Sequence, residues 1–324
     1  MSGPDVLSVP VRPPHGQAAA SPTISVVLAT RNRAAQAATC VGAILENQGF
    51  VELIVVDQSD DTSTRDVLSA LLDHRLRYVA SALRGVTSGR NLGIELSRGE
   101  VVAFTDDDCL VPPTWVERIS AAFTGDPDGA VVCGRVHVPE AIQQRGFATS
   151  FEPEERDWQG RFPPPFRGWG ITANMAVRRA VFARVGSFDP MLGAGAPLLS
   201  GGEPDFLFRV LKAGLKVVNA REVEVEHLGV RVRGQESRDL WRGYGIGTAA
   251  ALFKHVRLGD ADALVLCLRH LGVMALVVTK NILRGARPLG LGYTLAFFSG
   301  ALASFKFGID RERKLYQRAS RPSA

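Results

Sequence analysis

Several common catalytic motifs are missing from this 324-residue chain. No GxGxxG turn follows the first predicted strand and no GxxxxGKS/T loop occurs, so dinucleotide-binding and P-loop functions lose their main support. The GxSxG elbow of serine hydrolases is absent as well. Six scattered histidines form no HExxH pair, which argues against a zinc peptidase. The chemistry must therefore be sought in other side chains.

Cysteines are few and far apart, and the N-terminus carries no long apolar run. The four cysteines, at positions 40, 109, 133 and 267, form no CxxC pair. This argues against a disulfide framework or a zinc site and indicates a reducing compartment. Residues 1–21 lack the apolar core of a secretory signal and are rich in proline, alanine, serine and glycine, so we expect a disordered lead-in.

Positive charge is scarce in the first two thirds of the chain. Residues 1–227 hold 22 lysines and arginines against 27 acids, whereas residues 228–324 hold 16 against 6. An acidic body with a basic, apolar tail favours a membrane surface over a nucleic acid as partner. We therefore expect a cytoplasmic protein, peripheral at the inner face of the cell membrane. The alternative is a tail of solvated helices with incidental arginines.

Short β-branched runs alternate with helical stretches over residues 24–106, and 46% of the chain is hydrophobic, ample for a large core. This spacing predicts an α/β fold with a doubly wound, mostly parallel sheet. The predicted strands cover residues 24–30, 51–57, 76–80, 100–106, 130–138, 170–178, 216–219 and 222–226. The predicted helices of this region cover residues 34–47, 63–73, 87–97 and 202–214. An irregular aromatic loop is expected over residues 145–169.

Polar side chains follow three of these strands at the point where each ends. The segments are Thr30-Arg31-Asn32-Arg33, Asp57-Gln58-Ser59-Asp60-Asp61 and Asp106-Asp107-Asp108. Ligands of such sheets bind beyond the carboxyl ends of the strands, so the coincidence predicts a site, although each segment alone could be a turn or helix cap. Three adjacent acids also repel one another, and a divalent metal would offset that repulsion.

The acidic cluster allows two interpretations. In the first, Asp106 and Asp108 flank Asp107 as a DxD metal clamp for a nucleotide diphosphate. In the second, Asp106 is a phosphatase nucleophile and Asp108 its acid/base partner. The second requires the acids to end the first strand of the domain, whereas here they end about the fourth. The position of the cluster therefore favours the clamp.

The C-terminal region has an apolar, helical pattern. Residues 236–256 predict one helix, and residues 261–308 predict a helical pair that packs together and lies in or on a membrane. Gly292, Ala296, Gly300 and Ser304 recur every four residues, a stripe that lets helices approach closely. The alternative is a soluble helical subdomain or a homo-oligomer interface. We expect three regions: the lead-in (1–21), a catalytic domain (22–230) and a helical extension (231–324).

The order of these motifs resembles that of family 2 glycosyltransferases. Further segments carry the resemblance: Gly89-Arg90-Asn91-Leu92-Gly93-Ile94, Gly168-Trp169-Gly170-Ile171-Thr172-Ala173-Asn174, Val185-Gly186-Ser187-Phe188-Asp189 and Gly202-Glu203-Pro204-Asp205-Phe206-Leu207-Phe208-Arg209. Each motif is weak alone, but seven in order over residues 22 to about 230 make a specific match. The resemblance implies a GT-A fold and inverting transfer of a hexosyl or deoxyhexosyl group. The donor would be a nucleotide-sugar, and the acceptor a glycan, glycolipid or lipid-linked sugar of the cell envelope.

The resemblance also implies which residues hold the nucleoside. Asp57 looks like the acid that receives the base, and the segment Thr30-Arg31-Asn32-Arg33 looks like the lining of the pocket. Trp169 is expected to shape the same pocket. Gln58-Ser59 replaces the more usual acidic-glycine pair after Asp57, which leaves the identity of the base open.

A second set of residues is implied for the diphosphate and its metal. Arg90 looks like the residue that approaches the diphosphate, and Asp106 and Asp107 are assigned to the donor. Asp106 and Asp108 resemble the acids that bridge Mn²⁺ or Mg²⁺ to the diphosphate, and His227 is a candidate third ligand. An ordinary surface or core histidine is the alternative at position 227. Cation and guanidinium would offset the charge that grows on the leaving group.

Inversion needs one base that deprotonates the acceptor hydroxyl. Counting back from Arg209, Glu203 falls on the position of the usual base and Asp205 on that of the second acid. Glu203 is therefore the expected base, with Asp205 next. Alternatively, both acids simply favour the N-terminus of a helix.

Two other functions stay open. A sugar-nucleotide-binding scaffold without transferase activity would account for the departures at Gln58 and Pro204. A sugar nucleotidyltransferase would share the sheet type, but such enzymes usually carry a glycine-rich loop after the first strand, which Thr30-Arg31-Asn32-Arg33 lacks.

Overall fold

The computed structural model describes residues 21–166, 169–231, 234–285 and 290–317. The expected lead-in thus lies outside the described residues, apart from Ser21. The strands are β1 (Ile24–Thr30), β2 (Phe50–Asp57), β3 (Leu76–Ala80), β4 (Val101–Asp106), β5 (Cys109–Leu110), β6 (Gly129–His137), β7 (Met175–Arg178), β8 (Lys216–His227), β9 (Gly308–Asp310) and β10 (Leu315–Gln317). The helices are α1 (Ala34–Leu45), α2 (Ser63–Leu68), α3 (Val86–Leu96), α4 (Trp115–Gly125), α5 (Glu140–Gln143), α6 (Arg179–Val185), α7 (Gly202–Lys212), α8 (Gln235–Arg257), α9 (Ala261–Leu283) and α10 (Leu291–Ser304).

The main sheet has eight strands in the order β3-β2-β1-β4-β7-β6-β8-β5. Strands β3, β2, β1 and β4 are parallel, as the alternation of strands and helices predicts, and β6 is parallel to β8. β7 runs antiparallel between β4 and β6, and β5 runs antiparallel to β8. The predicted α/β fold with a mostly parallel sheet is therefore confirmed. β9 and β10 form a separate antiparallel pair.

The register of the parallel strands positions the polar strand ends. Thr30 of β1 lies opposite Asp57 of β2, and Ala29 lies opposite Asp106 of β4. The apolar residues at the centre of these strands, 26–28, 53–56 and 101–104, are fully buried. A continuous buried run is typical of a parallel strand that is covered on both faces.

Helix α3 comes very close to the central strand. A Cβ on Gly93 would lie 2.3 Å from Val27 Cγ1 of β1. Only glycine allows that distance, because a side chain there would overlap the strand. The close approach holds Arg90, one turn earlier in α3, next to the carboxyl edge of the sheet.

Three elements differ clearly from their predicted bounds. The strand predicted over residues 170–178 begins only at Met175 as β7, because residues 172–174 form a short 3-10 helix. α2 ends at Leu68 rather than at residue 73, and the chain then turns at Asp73, whose carboxylate accepts a hydrogen bond from the Arg75 amide at 2.8 Å. β8 does not end at residue 219 but runs on to His227 as one strand with the predicted 222–226 segment. The register shift between Gly134 and Arg135 of β6 accommodates the irregularity between the two segments.

The predicted contact between the last two helices is present, since the rings of His270 in α9 and Phe297 in α10 stack with centroids 4.8 Å apart, but α10 has another main partner. α10 packs mainly against α8 and makes fewer contacts with α9. A Cβ on Gly300 would lie 2.2 Å from the Ile246 carbonyl oxygen, and one on Gly245 would lie 2.9 Å from Ala296 Cβ. The small-residue stripe thus serves a close helix contact, as predicted, but with α8. A Cβ on Gly292, the first member of the stripe, would have no neighbouring atom within 4 Å, so this position makes no close helix contact.

Helix α9 exposes an apolar face. In the described part of the chain it alone is long and apolar enough to cross a membrane, yet only 28% of its most apolar 18-residue stretch is buried. Its buried side, which includes Leu266, Cys267 and His270, packs against α8 and α10. The opposite side carries Leu268 and Leu276, 60% and 72% exposed.

Candidate functional site

Three parallel strand ends form the floor of the candidate site. The carboxyl ends of β1, β2 and β4 lie side by side, so Thr30, Asp57 and Asp106 meet at one edge of the sheet. The Gln58 amide donates a hydrogen bond to the Thr30 carbonyl at 2.9 Å, which ties the turns after β1 and β2 together. The structure therefore brings the predicted polar segments into one place.

Asp57 is almost fully buried at the end of β2. Its Oδ2 accepts a hydrogen bond from the Tyr78 hydroxyl at 2.7 Å, and its Oδ1 accepts one from Ser59 Oγ at 2.5 Å. Burial raises the pKa of Tyr78 to about 12, and the hydrogen bond to Asp57 adds to the shift, so the phenol remains a donor. Gln58 turns away and donates to the Leu83 carbonyl at 2.9 Å. Ser59 and Tyr78 thus orient the Asp57 carboxylate.

The segment 30–33 at the end of β1 contacts two different parts of the site. Arg31 and Asn32 reach the β2 turn, where Asp60 accepts from Arg31 Nη2 at 3.1 Å and from Asn32 Nδ2 at 2.8 Å. Asn32 adopts a left-handed conformation with φ 54°, which asparagine tolerates well. Thr30 Oγ1 instead donates to Asp107 Oδ2 at 2.7 Å. The predicted nucleoside segment therefore contacts both the β2 turn and the acidic cluster.

The three adjacent acids point their side chains at different partners. Asp106 Oδ1 lies 2.5 Å from Arg90 Nη2. Arg33 Nη1 lies 2.8 Å from Asp107 Oδ1 and 3.1 Å from Asp108 Oδ2. Burial raises the pKa of Asp107, although Arg33 opposes the shift. Two guanidinium groups therefore reduce the repulsion within the cluster.

The donor atoms of Asp108, Cys109 and His227 lie within 4.8 Å of one another. His227 Nε2 is 3.4 Å from Asp108 Oδ1, and the buried His227 Nδ1 has no hydrogen-bond partner among the described residues. Gly229 leaves room here, because a Cβ there would lie 2.2 Å from Asp108 Oδ2. A carboxylate beside an imidazole fits a divalent cation such as Mn²⁺. Asp106, which was also expected as a metal ligand, instead forms an ion pair with Arg90.

A cavity of about 320 Å³ opens beside this cluster. Asp107 and Asp108 line one part of it, and Arg33 and Arg231 line others. The volume lies within the usual range for small-molecule sites. Paired carboxylates and guanidinium groups around one cavity suit an anionic ligand that is bound together with a cation.

Glu203 lies in the first turn of α7, and Arg90 lies between its carboxylate and the acidic cluster. Its Oε1 accepts a hydrogen bond from the Thr172 hydroxyl at 2.5 Å and lies 3.5 Å from Arg90 Nη1. Because Arg90 Nη2 binds Asp106, one guanidinium bridges the two acids. The Glu203 side chain is 23% exposed, which leaves its carboxylate accessible to an incoming hydroxyl. Thr172 fixes its orientation.

Asp205, the other acid expected to be catalytic, is fully buried. Its Oδ2 lies 3.1 Å from Arg209 Nη2, and its Oδ1 lies 2.6 Å from Lys254 Nζ and 2.8 Å from His255 Nε2. Burial alone would raise the pKa of Asp205, but Lys254 and Arg209 hold it far below its usual range. Because its side chain is completely buried against these three partners, Asp205 is closed to an acceptor. The geometry therefore favours Glu203 as the base.

The same cluster joins α7 to the helical extension. Lys254 Nζ also lies 2.6 Å from Asp189 Oδ2, which accepts a hydrogen bond from the Tyr316 amide at 2.8 Å. Burial lowers the pKa of His255, although Asp205 opposes the shift, so a neutral imidazole donates to Asp205. The two buried carboxylates are then balanced by two cations. α8 and the β9–β10 hairpin thus support the helix that carries Glu203.

A further contact joins α3 to the loop before α7. Asn91 Nδ2 donates to the Phe188 carbonyl at 2.8 Å, and the Phe188 amide donates to Asn91 Oδ1 at 3.0 Å. Asn91 directly follows Arg90, and Phe188 directly precedes Asp189. The helix that carries Arg90 is therefore tied to the support of α7.

Some residues of the site were not predicted, and one predicted residue lies elsewhere. Thr172, Lys254 and His255 were not selected, although a lysine and a histidine within the apolar run 249–256 could have indicated a buried polar cluster. Trp169, expected near the nucleoside, packs instead against Phe162 with ring centroids 5.8 Å apart. Gly168 of the same motif lies outside the described residues.

Sequence comparison with known proteins finds relatives that are named as glycosyltransferases. A glucosyl-dolichyl phosphate glucuronosyltransferase of Haloferax volcanii is 29% identical over 50% of this chain and 54% of its own length. A validoxylamine A glucosyltransferase of Streptomyces hygroscopicus subsp. jinggangensis is 32% identical over 52% of this chain and 47% of its own. The chain thus spans about half the length of these relatives.

Structure comparison supports the fold, and comparison with a protein-family model supports the family membership. A mannosyltransferase of Pyrobaculum calidifontis, solved with GDP-mannose and Mn²⁺, superposes with a TM-score of 0.57 at 18% identity, covering 88% of this chain and 74% of its own. This likeness confirms the expected GT-A-like fold. The profile described as glycosyl transferase family 2 matches residues 25–186, half of the chain. The protein belongs to glycosyl transferase family 2.

Proposed function

We propose that this protein is a metal-dependent, inverting glycosyltransferase. It moves a hexosyl or deoxyhexosyl group from a nucleotide-diphosphate sugar to a glycan, glycolipid or lipid-linked acceptor. The observation that carries the proposal is the Arg90 guanidinium, which bridges Asp106 and Glu203 at 2.5 and 3.5 Å. It places a fixed cation between the acids that would face the leaving group and the carboxylate that would face the acceptor.

The donor is held at the carboxyl edge of the sheet. Asp57, oriented by Tyr78 and Ser59, accepts hydrogen bonds from the base. Asp108 and His227 would hold a divalent cation, which when bound would offset the charge of the departing diphosphate. Arg90 adds a second positive charge that needs no reorganisation during the reaction.

Glu203 acts on the acceptor. Its carboxylate takes the proton of the acceptor hydroxyl while the acceptor oxygen forms a bond to the anomeric carbon. The bond from that carbon to the diphosphate oxygen breaks, and the nucleoside diphosphate leaves with the electron pair. Attack opposite the leaving group inverts the configuration. Thr172 and Arg90 keep the carboxylate in one orientation through the step.

A donor screen with Mn²⁺ and a glutamate variant tests this proposal. The wild type is expected to consume at least one nucleotide-sugar and to transfer its sugar to a membrane extract. Glu203→Gln should lower kcat by roughly 10²- to 10⁴-fold with unchanged donor affinity by calorimetry. Glu95→Gln, an exposed acid on α3, is the matched control and should be neutral.

Two outcomes would favour the alternative functions. Metal-dependent donor binding with turnover that Glu203→Gln leaves unchanged would indicate a binding scaffold. Release of pyrophosphate from a nucleoside triphosphate and a sugar phosphate would indicate a nucleotidyltransferase.

We also propose that α9 binds the cytoplasmic surface of the cell membrane. Its exposed face carries large apolar side chains, including Leu264, Leu268 and Leu276. Arg269 and Lys280 lie 11 residues apart, three helical turns, and therefore share one stripe beside that face. A spanning helix would bury Arg269 within the membrane, whereas a helix in the membrane plane keeps both charges in water. This favours an in-plane orientation.

Vesicle binding tests the membrane proposal. Leu268→Glu and Leu276→Glu should each reduce co-sedimentation with anionic vesicles by about tenfold or more, because each places a charge in the apolar face. Leu72→Glu is the matched control, since Leu72 is 99% exposed and lies in the catalytic domain. Equal binding of all three variants, or no binding by the wild type, would contradict the proposal.

A further inference from the structure

Helix α8 passes directly over the backbone that leads into α7. A Cβ on Gly201 would lie 2.3 Å from the Gly247 carbonyl oxygen, so the two main chains are in contact. One turn earlier in α8, the Gly243 carbonyl accepts a hydrogen bond from Ser200 Oγ at 3.0 Å. The α8 residues between these contacts therefore lie beside the first turn of α7, which carries Glu203.

Tyr244 occupies that position. Its hydroxyl oxygen lies 3.1 Å from Thr149 Oγ1 of the loop that follows α5. Burial raises the pKa of Tyr244, the Thr149 contact opposes the shift, and the charges of Glu203 and Asp106 add to it. The phenol thus lies in the field of both carboxylates. Since the donor is assigned to the ends of β1, β2 and β4, this surface is available to the acceptor.

Trp241, one turn before Tyr244, is a large aromatic side chain left 45% exposed. Its ring lies edge-on to Tyr244 at 5.7 Å between centroids and 5.5 Å from Phe147. Tyr293 of α10 continues the row at 6.4 Å. A partly exposed row of aromatic rings beside a reaction centre is typical of ligand contact.

The aromatic row continues to α9. The Phe166 ring lies 5.5 Å from Tyr293 and 4.1 Å from His270. Phe166 has a φ of 62° and is 48% exposed, an unfavourable conformation and position for a bulky apolar residue. His270 lies on the buried side of α9, about half a turn away from the exposed Leu268. A row of aromatic rings thus leads from the neighbourhood of Glu203 to helix α9.

We infer that this row, from Tyr244 and Trp241 through Tyr293 to Phe166, is an acceptor subsite for a sugar carried on an apolar chain. The sugar lies near Tyr244 and Thr149, and the chain lies over Trp241 and Tyr293 toward α9. The inference rests on the proposed transferase function and names its acceptor class. A hydrophilic glycan would need an aromatic platform only near Glu203, whereas the row continues over Trp241 and Tyr293 to the half-exposed Phe166 beside α9.

Alkyl glycosides test the subsite. The same panel of sugars is offered as decyl glycosides and as methyl glycosides, with the donor found in the screen. Trp241→Ala should raise the KM of the decyl acceptors by about tenfold and leave the methyl acceptors and the donor within about twofold. Trp241→Phe, which keeps an aromatic ring, should retain most of the wild-type preference. Thermal unfolding of each variant verifies that it is folded.

A binding measurement gives a readout that needs no turnover. Farnesyl phosphate, added below its micelle concentration, should shift the tryptophan emission of the wild type to shorter wavelength. The shift should be absent in Trp241→Phe. Failure of the transferase proposal would appear as no donor turnover by the wild type, with this shift intact.

Other results would overturn the subsite. An unchanged decyl KM in Trp241→Ala would exclude Trp241 from acceptor binding. An equal rise for decyl and methyl acceptors would mean that the row binds the sugar and not the chain. An equal emission shift in wild type and Trp241→Phe would place the chain elsewhere.

Discussion

Lys254 of α8 lies 2.6 Å from Asp205 of α7, and both side chains are completely buried. The pair joins the helical extension to the helix of the proposed base, together with Asp189, Arg209 and His255. The region beyond residue 230 therefore stabilises the catalytic domain from inside its core. The proposed boundary at residue 230 separates two sequence patterns but crosses one packed structure.

Removal of the Lys254 charge should be strongly destabilising. Lys254→Met keeps the length of the side chain but leaves two buried carboxylates short of one cation, which typically costs about 3–5 kcal/mol. The free energy of unfolding in urea measures the effect. Lys212→Met is the control, because Lys212 pairs with Asp260 and Asp262 near the surface and should cost at most about 1 kcal/mol. Equal losses in both variants would contradict a special role for the buried cluster.

The pH dependence of stability should carry the signature of Asp205. Its folded pKa is lowered, so its contribution is complete above the unfolded value of 3.8 and is lost as the pH falls toward the folded pKa. The difference in unfolding free energy between wild type and Asp205→Asn should be constant from about pH 5 to 8. Below about pH 4 it should shrink by about 1.4 kcal/mol per pH unit. A difference that grows on acidification would show that the sign is wrong.

Metal affinity should depend on His227. His227→Asn removes the imidazole beside Asp108 and should weaken Mn²⁺ binding by at least about tenfold, the scale found even for outer-shell partners of metal sites. Calorimetric titration of Mn²⁺ with the nucleoside diphosphate present measures it. His74→Asn is the control, since that side chain is 95% exposed. Unchanged affinity in His227→Asn would remove His227 from the metal shell.

The contact between α8 and α10 should tolerate no side chain at Gly300. Gly300→Ala places a Cβ about 2.2 Å from the Ile246 carbonyl oxygen and should destabilise the protein by roughly 1–3 kcal/mol. Gly272→Ala, on the exposed side of α9 with nothing within 4 Å, should instead be neutral or stabilising by about 0.5–1 kcal/mol. Thermal unfolding distinguishes the two. A neutral Gly300→Ala would show that the helices can separate at little cost.

The sheet could be predicted because its signals are local. Buried β-branched runs end in polar turns, and the parallel register then brings Thr30, Asp57 and Asp106 together by geometry alone. β8 was harder, since its middle is polar and its pairing with β6 shifts register. The main partner of α10 could not be predicted from the sequence either. A stripe of small residues indicates a close helix contact but does not identify the other helix.

The roles of the acids in α7, and the contacts that hold this helix in place, could be predicted only in part. An acid at a helix N-terminus is compatible with capping, catalysis or an ion pair, so Glu203 and Asp205 could be ranked only by resemblance. What separates them is Lys254, which follows Asp205 by 49 positions and meets it only through tertiary packing. Local pattern carries no signal for such a contact.

The reciprocal hydrogen bonds between Asn91 and Phe188 have a kinetic consequence. They tie the helix of Arg90 to the loop before α7, so we expect these two segments to move together. Any compulsory order of donor and acceptor binding would then arise in the surrounding loops. Crosslinking these two segments should accordingly leave the order of substrate addition unchanged.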